Sequence, residues 1–288
     1  MLIKSTKKQK ISEIVTLAKW YNKNDFTTWI NHYLSYCGVD SILIFNNEST
    51  FNLKNELNKL SDILKTKVKI INVSDKIVLS KDAPQIYFFQ KAHNTKSASY
   101  QFFIDYDEYI WINKSKYNTI NDFLNYLESN NIFIYLMPEQ FISYNSHDTI
   151  PIYRENAIIN ECFYTMSMYQ EDKPHSVCSK VIAYNKISGD FDSVHFFKSP
   201  EYKTYKNIKE TIDVLNNYTY EINMMSTDIK YFHYHHRSLS EWNYKLKQYD
   251  MTNTSKTSYE TYKNINPDLT VYPVNLYNSY INPFNILK

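Results

Sequence analysis

The chain has 288 residues, 43% of them hydrophobic and 22% charged, enough for one large domain or two small ones with an ordinary buried core. Its net charge of +2, without a basic helix carrying interleaved aromatics, argues against a nucleic-acid partner. Cys37, Cys162 and Cys178 form no disulfide framework or metal spacing, and no apolar stretch reaches the roughly 20 residues of a membrane span, so a cytoplasmic protein without an anchor is expected. The 28 Tyr and 16 Phe beside only 2 Gly reflect the residue usage of an A+T-rich coding sequence, such as a giant virus carries, more than function.

In chain order, Ile14 to Trp20 reads as a buried strand. Phe26, Trp29, Ile30, Tyr33, Leu34 and Cys37 then share one helical face, which Gly38 ends. Ser41 to Phe45 is a second strand, followed by the polar turn Asn46-Asn47-Glu48-Ser49. Leu53, Leu57, Leu60 and Leu64 line one further helix, and Val68 to Val73 is a third strand. Gln85 to Asn94 is helical and leads into a strand, Gln101 to Ile104. A helix through Ile120, Phe123, Leu124 and Leu127 and a strand from Ile132 to Met137 continue the pattern. This βαβα succession predicts an α/β fold, a mostly parallel sheet with helices on both faces.

Beyond these elements, Phe141 to Asn160 reads as a long irregular loop. Lys180 to Tyr184 is a strand. Residues 1–250 are expected to form the domain, with 251–288 an aromatic arm packed against it.

The chemistry concentrates at Asp105-Tyr106-Asp107-Glu108, between the apolar runs Gln101–Ile104 and Tyr109–Ile112. Carboxylates caught between buried segments need a cation or donors. Oxygen ligands at a strand end suit Mg2+ or Mn2+ bound together with a nucleotide pyrophosphate. In open α/β sheets ligands bind beyond the carboxyl ends of the strands. Trp20 to Asp25, Asn46 to Ser49 and Asp105 to Glu108 all follow expected strands and would therefore converge on one rim, with Lys19 and Asn22 at the end of the first strand.

Four ordered segments carry a family resemblance: Ala18 to Asp25 with Trp29-Ile30-Asn31-His32-Tyr33-Leu34 and Gly38-Val39-Asp40; Asn46-Asn47-Glu48-Ser49; Gln90 to Asn94 followed by the acidic cluster; and His233-Tyr234-His235-His236-Arg237-Ser238 with Trp242 and Lys245. On them the chain resembles the family-two-like glycosyltransferases related to family 92, which have the GT-A fold. The resemblance implies a Rossmann-like sheet and transfer of a sugar from a nucleoside diphosphate donor, UDP-linked, to a glycan or glycoprotein acceptor, with inversion. It implies Mn2+ or Mg2+ at Asp107, with Asp105 reaching the donor ribose or the metal through water and His233 as a third protein ligand or phosphate contact. Two departures stand out. Pro138-Glu139-Gln140-Phe141-Ile142 lacks the Trp and Gly of the family's element near the acceptor, and Arg237 replaces a lysine.

Ser238-Leu239-Ser240-Glu241 is a capping box that opens a helix, and with Arg237 beside it this helix start would hold an anion. Lys19, Asn22 and Asn46 would face the base and ribose. Inversion needs a carboxylate base, for which Asp148, Glu155 and Glu161 are candidates; the resemblance, which places an acidic residue near Glu161-Cys162-Phe163, puts Glu161 foremost. The rival expectation is a non-catalytic glycan-binding or structural protein that keeps the fold; a metal-dependent phosphohydrolase is more distant.

Overall fold

The structure, a computed structural model, describes residues 11–143, 164–166, 179–202, 204–207, 210–212, 228–233 and 271–273. The first strand, β1 (Ser12–Ala18), is almost wholly buried. Such a near-continuous apolar run belongs at the centre of a parallel sheet, and β1 pairs in parallel with both β2 (Ser41–Asn47) and β4 (Tyr100–Phe103). Beyond β2 lies β3 (Val68–Val73), again parallel, at the edge of the sheet.

On the other side, β4 pairs with β8 (Ser179–Tyr184) and β8 with β6 (Ile134–Ser143), both antiparallel. The path ends with β11 (Thr204–Asn207), parallel to β6, and β12 (Glu210–Ile212), antiparallel to β11. Along this path β3, β2, β1, β4, β6 and β11 run one way, while β8 and β12 oppose them. The sheet is thus mostly parallel, as the alternating pattern predicts.

Successive residues feed opposite cores, because side chains alternate across a strand. Ile14, Ile42, Ile44, Phe102 and Ile104 join one apolar cluster; Val15, Leu43, Phe45 and Phe103 join the other. The first cluster is closed by α1 (Lys23–Asn31) and α6 (Ile120–Ser129), the second by α5 (Pro84–Thr95). A hairpin of β9 (Asp190–Ser193) and β10 (Phe196–Lys198) packs on α5, where the backbone N–H of Phe191 donates to Gln90 at 3.0 Å.

After α1 the chain widens into π-helical turns over His32–Cys37 and stops at Gly38, which has φ 70°. A Cβ there would meet Thr119 at 3.1 Å, so glycine answers both a left-handed backbone and a close approach. The leucine-lined helix divides into α2 (Leu53–Leu57) and α3 (Asp62–Thr66), since Ser61 caps a new start by accepting from the N–H of Leu64. A short α4 (Asp75–Leu79) follows β3.

Two boundaries differ from the sequence reading. The first strand ends at Ala18, before Trp20. And β6 extends to Ser143, so the expected irregular loop begins in a strand: Phe141 pairs with Met166 of β7 (Tyr164–Met166). A second branch of the sheet starts there. In it β13 (Ile229–His233) runs parallel to the outer half of β6 and antiparallel to β5 (Glu108–Ile112), and β14 (Val271–Pro273) pairs with β7. Among the described residues no helix is long and apolar enough to cross a membrane.

Candidate active site

The acidic cluster is the turn by which the chain leaves the main sheet for its second branch. The N–H of Ile104 still donates to Val15 of β1 at 3.0 Å, and four residues later β5 has begun. The turn is closed twice. The Glu108 N–H donates to the Asp105 carbonyl at 3.2 Å, and the Asp105 N–H donates to Glu108 Oε2 at 2.8 Å. The indole N–H of Trp29 also reaches the Asp105 carbonyl, at 3.3 Å.

Three carboxylates therefore occupy one small volume with different exposures. The Asp105 side chain is 25% exposed, Asp107 6% and Glu108 1%. Lys180, fully buried at the start of β8, answers two of them: its Nζ lies 2.7 Å from Asp105 Oδ2 and 3.3 Å from Glu108 Oε1. Gln85, in the first turn of α5, donates to the other oxygen of Asp105. Burial pushes the Glu108 carboxyl above its ordinary range, against the pull of Lys180. Burial alone would lower Lys180, but Asp105 and Glu108 more than offset it and hold the lysine above its ordinary range.

His233 arrives from far along the chain. It ends β13 directly opposite Glu108 of β5, which places its Nε2 3.7 Å from Asp107 Oδ1 and its Nδ1 3.9 Å from Glu108 Oε1. A carboxylate oxygen and an imidazole nitrogen at that separation fall within the about 4.2 Å that two ligands of one Mg2+-sized ion can span. Among the described residues no group of three or more His, Cys, Asp or Glu is arranged to hold a metal. Asp107 and His233 by themselves offer one carboxylate oxygen and one imidazole nitrogen at a separation that a single cation could bridge.

The remaining rim residues gather as topology demands, with their side chains already engaged. Lys19 pairs with Asp75 at 3.0 Å, joining the ends of β1 and β3, and Glu48 accepts from the Asp75 N–H at 3.2 Å. Asn46 lies inside β2 rather than after it; its amide donates to Asn72 at 2.9 Å, and its oxygen accepts from Ser49 Oγ at 2.5 Å. Asn22 caps α1 by accepting from the N–H of Asn24 at 2.9 Å. Trp20, 1% exposed, packs edge-on to Trp29 and Tyr106 and ties this group to the acidic turn.

The sequence-predicted Asp105, Asp107 and His233 are therefore brought together, and Lys19 and Asn46 stand on the same rim. Arg237, Ser238, Glu161, Asp148 and Glu155 lie outside the described residues. Lys180 and Gln85 carry no local motif that marks them in the sequence as neighbours of the acidic turn. Only the antiparallel course of β8 marks Lys180: continuing the register Phe102↔Ile182 sets it beside Ile104, where β4 gives way to the acidic turn.

No family model matches the sequence, and neither does any curated protein. Solved structures with a likeness of fold include S. aureus TarS 1-349 in complex with UDP, at 12% identity and a TM-score of 0.37 over 61% of this chain and 47% of that one. The galactosyltransferase LgtC in complex with donor and acceptor sugar analogues is similar at 7% identity and a TM-score of 0.30, over 60% and 58%. Glucosyl-3-phosphoglycerate synthase from Mycobacterium tuberculosis, in complex with Mn2+, UDP-glucose and phosphoglyceric acid, is similar at 13% identity and a TM-score of 0.30, over 62% and 57%. The chain spans about half the length of these proteins, and each likeness is a partial one of fold.

Proposed function

We propose that this protein is a GT-A-type glycosyltransferase, of the family-two-like group related to family 92, that moves a hexose-type sugar from a UDP-linked donor to a glycan or glycoprotein with inversion. One observation carries the reading: a buried acidic turn at the carboxyl end of a parallel strand receives His233 from a distant strand, leaving Asp107 and His233 spaced for one cation. A bound Mn2+ or Mg2+ would supply a Lewis acid at the leaving diphosphate. Asp107 and His233 would hold it, and Asp105 would position the donor ribose or a metal-bound water.

The other roles follow from the chain's own residues. Lys19, Asn22 and Asn46 line the nucleotide side of the rim, with Asn46 and Asn22 acting through the turns they brace. Arg237 and the helix opened at Ser238 would receive the diphosphate as anion donors. Glu161, or failing it Asp148 or Glu155, would take the proton from the acceptor hydroxyl as it attacks the anomeric carbon. The aromatic stretch 251–288 is read as an arm on the domain, in keeping with the pairing of Val271–Pro273 with β7.

A second reading, a glycan-binding protein that keeps the fold without turnover, is favoured by the internal engagement of Asp105 with Lys180 and Gln85. Screening nucleotide-sugars for Mn2+-dependent hydrolysis and for thermal stabilisation separates the two, since a ligand that binds only the native state must raise its stability. Hydrolysis of a UDP-sugar supports the enzyme. Stabilisation without any turnover, across many acceptors, supports the binder.

A further inference from the structure

Trp29 and Tyr33 stand four residues apart on one continuous helical face, Trp29 in α1 and Tyr33 in the π-helical turns that follow it. Both are wholly buried, with ring centroids 4.6 Å apart. Each carries one polar atom into an apolar cluster, and each of those atoms meets the backbone of the acidic turn. The indole N–H of Trp29 donates to the Asp105 carbonyl at 3.3 Å, and the Tyr33 hydroxyl donates to the Glu108 carbonyl at 3.0 Å. These are the first and last carbonyls of the turn, so one helical face holds both of its ends. The same hydroxyl accepts from the Ile110 N–H at 3.3 Å, and His32 Nε2 donates to the Ile110 carbonyl at 2.8 Å. Strand β5 is thus paired with β13 along one edge and met by helix side chains along the other. The π-helical widening sets in at His32, just after the turn that carries Trp29, and such widenings are frequent at functional sites.

Apolar packing alone asks for neither polar atom, since phenylalanine fills nearly the same space as Tyr33. A buried hydroxyl that both donates and accepts adds direction to the burial of its ring. The carboxylates of Asp105, Asp107 and Glu108 take their positions from the backbone of this turn, and a working constellation has to be held to within about 0.5 Å by the contacts behind it. Lys180 and Gln85 hold the side chain of Asp105, whereas Trp29 and Tyr33 hold the main chain. We propose that Trp29 and Tyr33 are positioning residues of the donor site, which anchor the backbone from Asp105 to Glu108 at its two ends and so set its carboxylates for a cation-bound diphosphate. The inference rests on the donor site proposed above and adds to it the two side chains that hold the turn in place.

The test is calorimetry of UDP binding with and without Mn2+, on the full chain and at a temperature where each variant is folded. Tyr33→Phe removes one oxygen and should reduce the gain in UDP affinity that Mn2+ confers by about 10- to 100-fold, the range for losing a partner behind a metal ligand. Trp29→Phe should reduce the same gain. Tyr100→Phe is the control: its hydroxyl, in the same apolar cluster but at the opposite end of β4 from the turn, donates to the Ile132 carbonyl at 3.3 Å. Urea unfolding should show a loss of stability in Tyr100→Phe as in Tyr33→Phe, while its Mn2+ gain stays intact. A merely structural pair would lower stability without moving the affinity of the folded protein. Because Tyr33→Phe leaves the Glu108 carbonyl and the Ile110 N–H buried without that partner and can fail to fold, Trp29→Phe keeps the test open, for the Asp105 carbonyl retains its bond from the Glu108 N–H. An unchanged Mn2+ gain in the folded Trp29 or Tyr33 variant, or an equal loss in Tyr100→Phe, overturns the positioning role and leaves the donor site standing. A wild type whose UDP affinity does not respond to Mn2+ overturns the cation reading of the acidic turn, and this inference with it.

Discussion

Nε2 of His233 lies 3.7 Å from Oδ1 of Asp107, a juxtaposition made by cross-strand register: His233 stands opposite Glu108, the residue after Asp107. If the two hold one cation, Asp107→Ala should abolish Mn2+-dependent UDP binding while the protein stays folded. His233→Ala should weaken it at least as much as loss of an outer-shell partner, about 10- to 100-fold. Calorimetry on the folded variants checks both, and an unaltered UDP affinity in Mn2+ for Asp107→Ala would remove the metal assignment.

Arg237, read from sequence as the diphosphate contact, makes a separable claim. Arg237→Ala should weaken UDP far more than uridine, because a charge-assisted contact is lost only where phosphate is present. Parallel titrations of the two ligands decide it; equal weakening marks a structural arginine.

The acceptor side is tested through Glu161. Glu161→Gln should keep donor and metal binding but lose transfer by about 10^2- to 10^4-fold, the range of general base catalysis. Normal transfer by this variant, with loss in Asp148→Asn or Glu155→Gln, moves the base to one of those carboxylates.

A pH prediction comes from the core against β5, just beyond the acidic turn. His32 is buried, with Nε2 donating to the Ile110 carbonyl at 2.8 Å, and burial lowers its pKa from 6.5 to about 3. Between those values the unfolded chain binds a proton that the folded one refuses. Its contribution is therefore fully present above pH 6.5 and lost as the pH falls through about 3, with a slope of up to about 1.4 kcal/mol per pH unit. Urea unfolding from pH 7 to 4 should show that slope reduced in His32→Gln; identical slopes would show that protonation of other groups governs acid unfolding.

Much of this was legible because it is local. The run of β1, the helical face ending at Gly38 and the alternation of strand and helix all follow from periods of 2 and 3.6 residues, and each element lies close to where its pattern puts it. The leucine spacing predicts one long helix where there are two, because Ser61 can open a helix as readily as continue one, and a capping oxygen outweighs an apolar spacing. The loop expected from Phe141 begins in β6 because its strand partners, Met166 and His233, come from distant segments.

The sequence by itself determined the parallel α/β sheet and the place of the acidic turn at a strand end, since buried apolar runs interrupted by carboxylates specify both without knowledge of partners. It also marked His233 as a candidate. Only the tertiary structure decided what those carboxylates meet. Lys180 reaches Asp105 and Glu108 because β8 enters the sheet antiparallel between β4 and β6, and His233 reaches Asp107 because β13 pairs with β5 in one register. Strand order and register are set by the burial of whole faces against one another, a non-local sum of contacts that no window of residues contains.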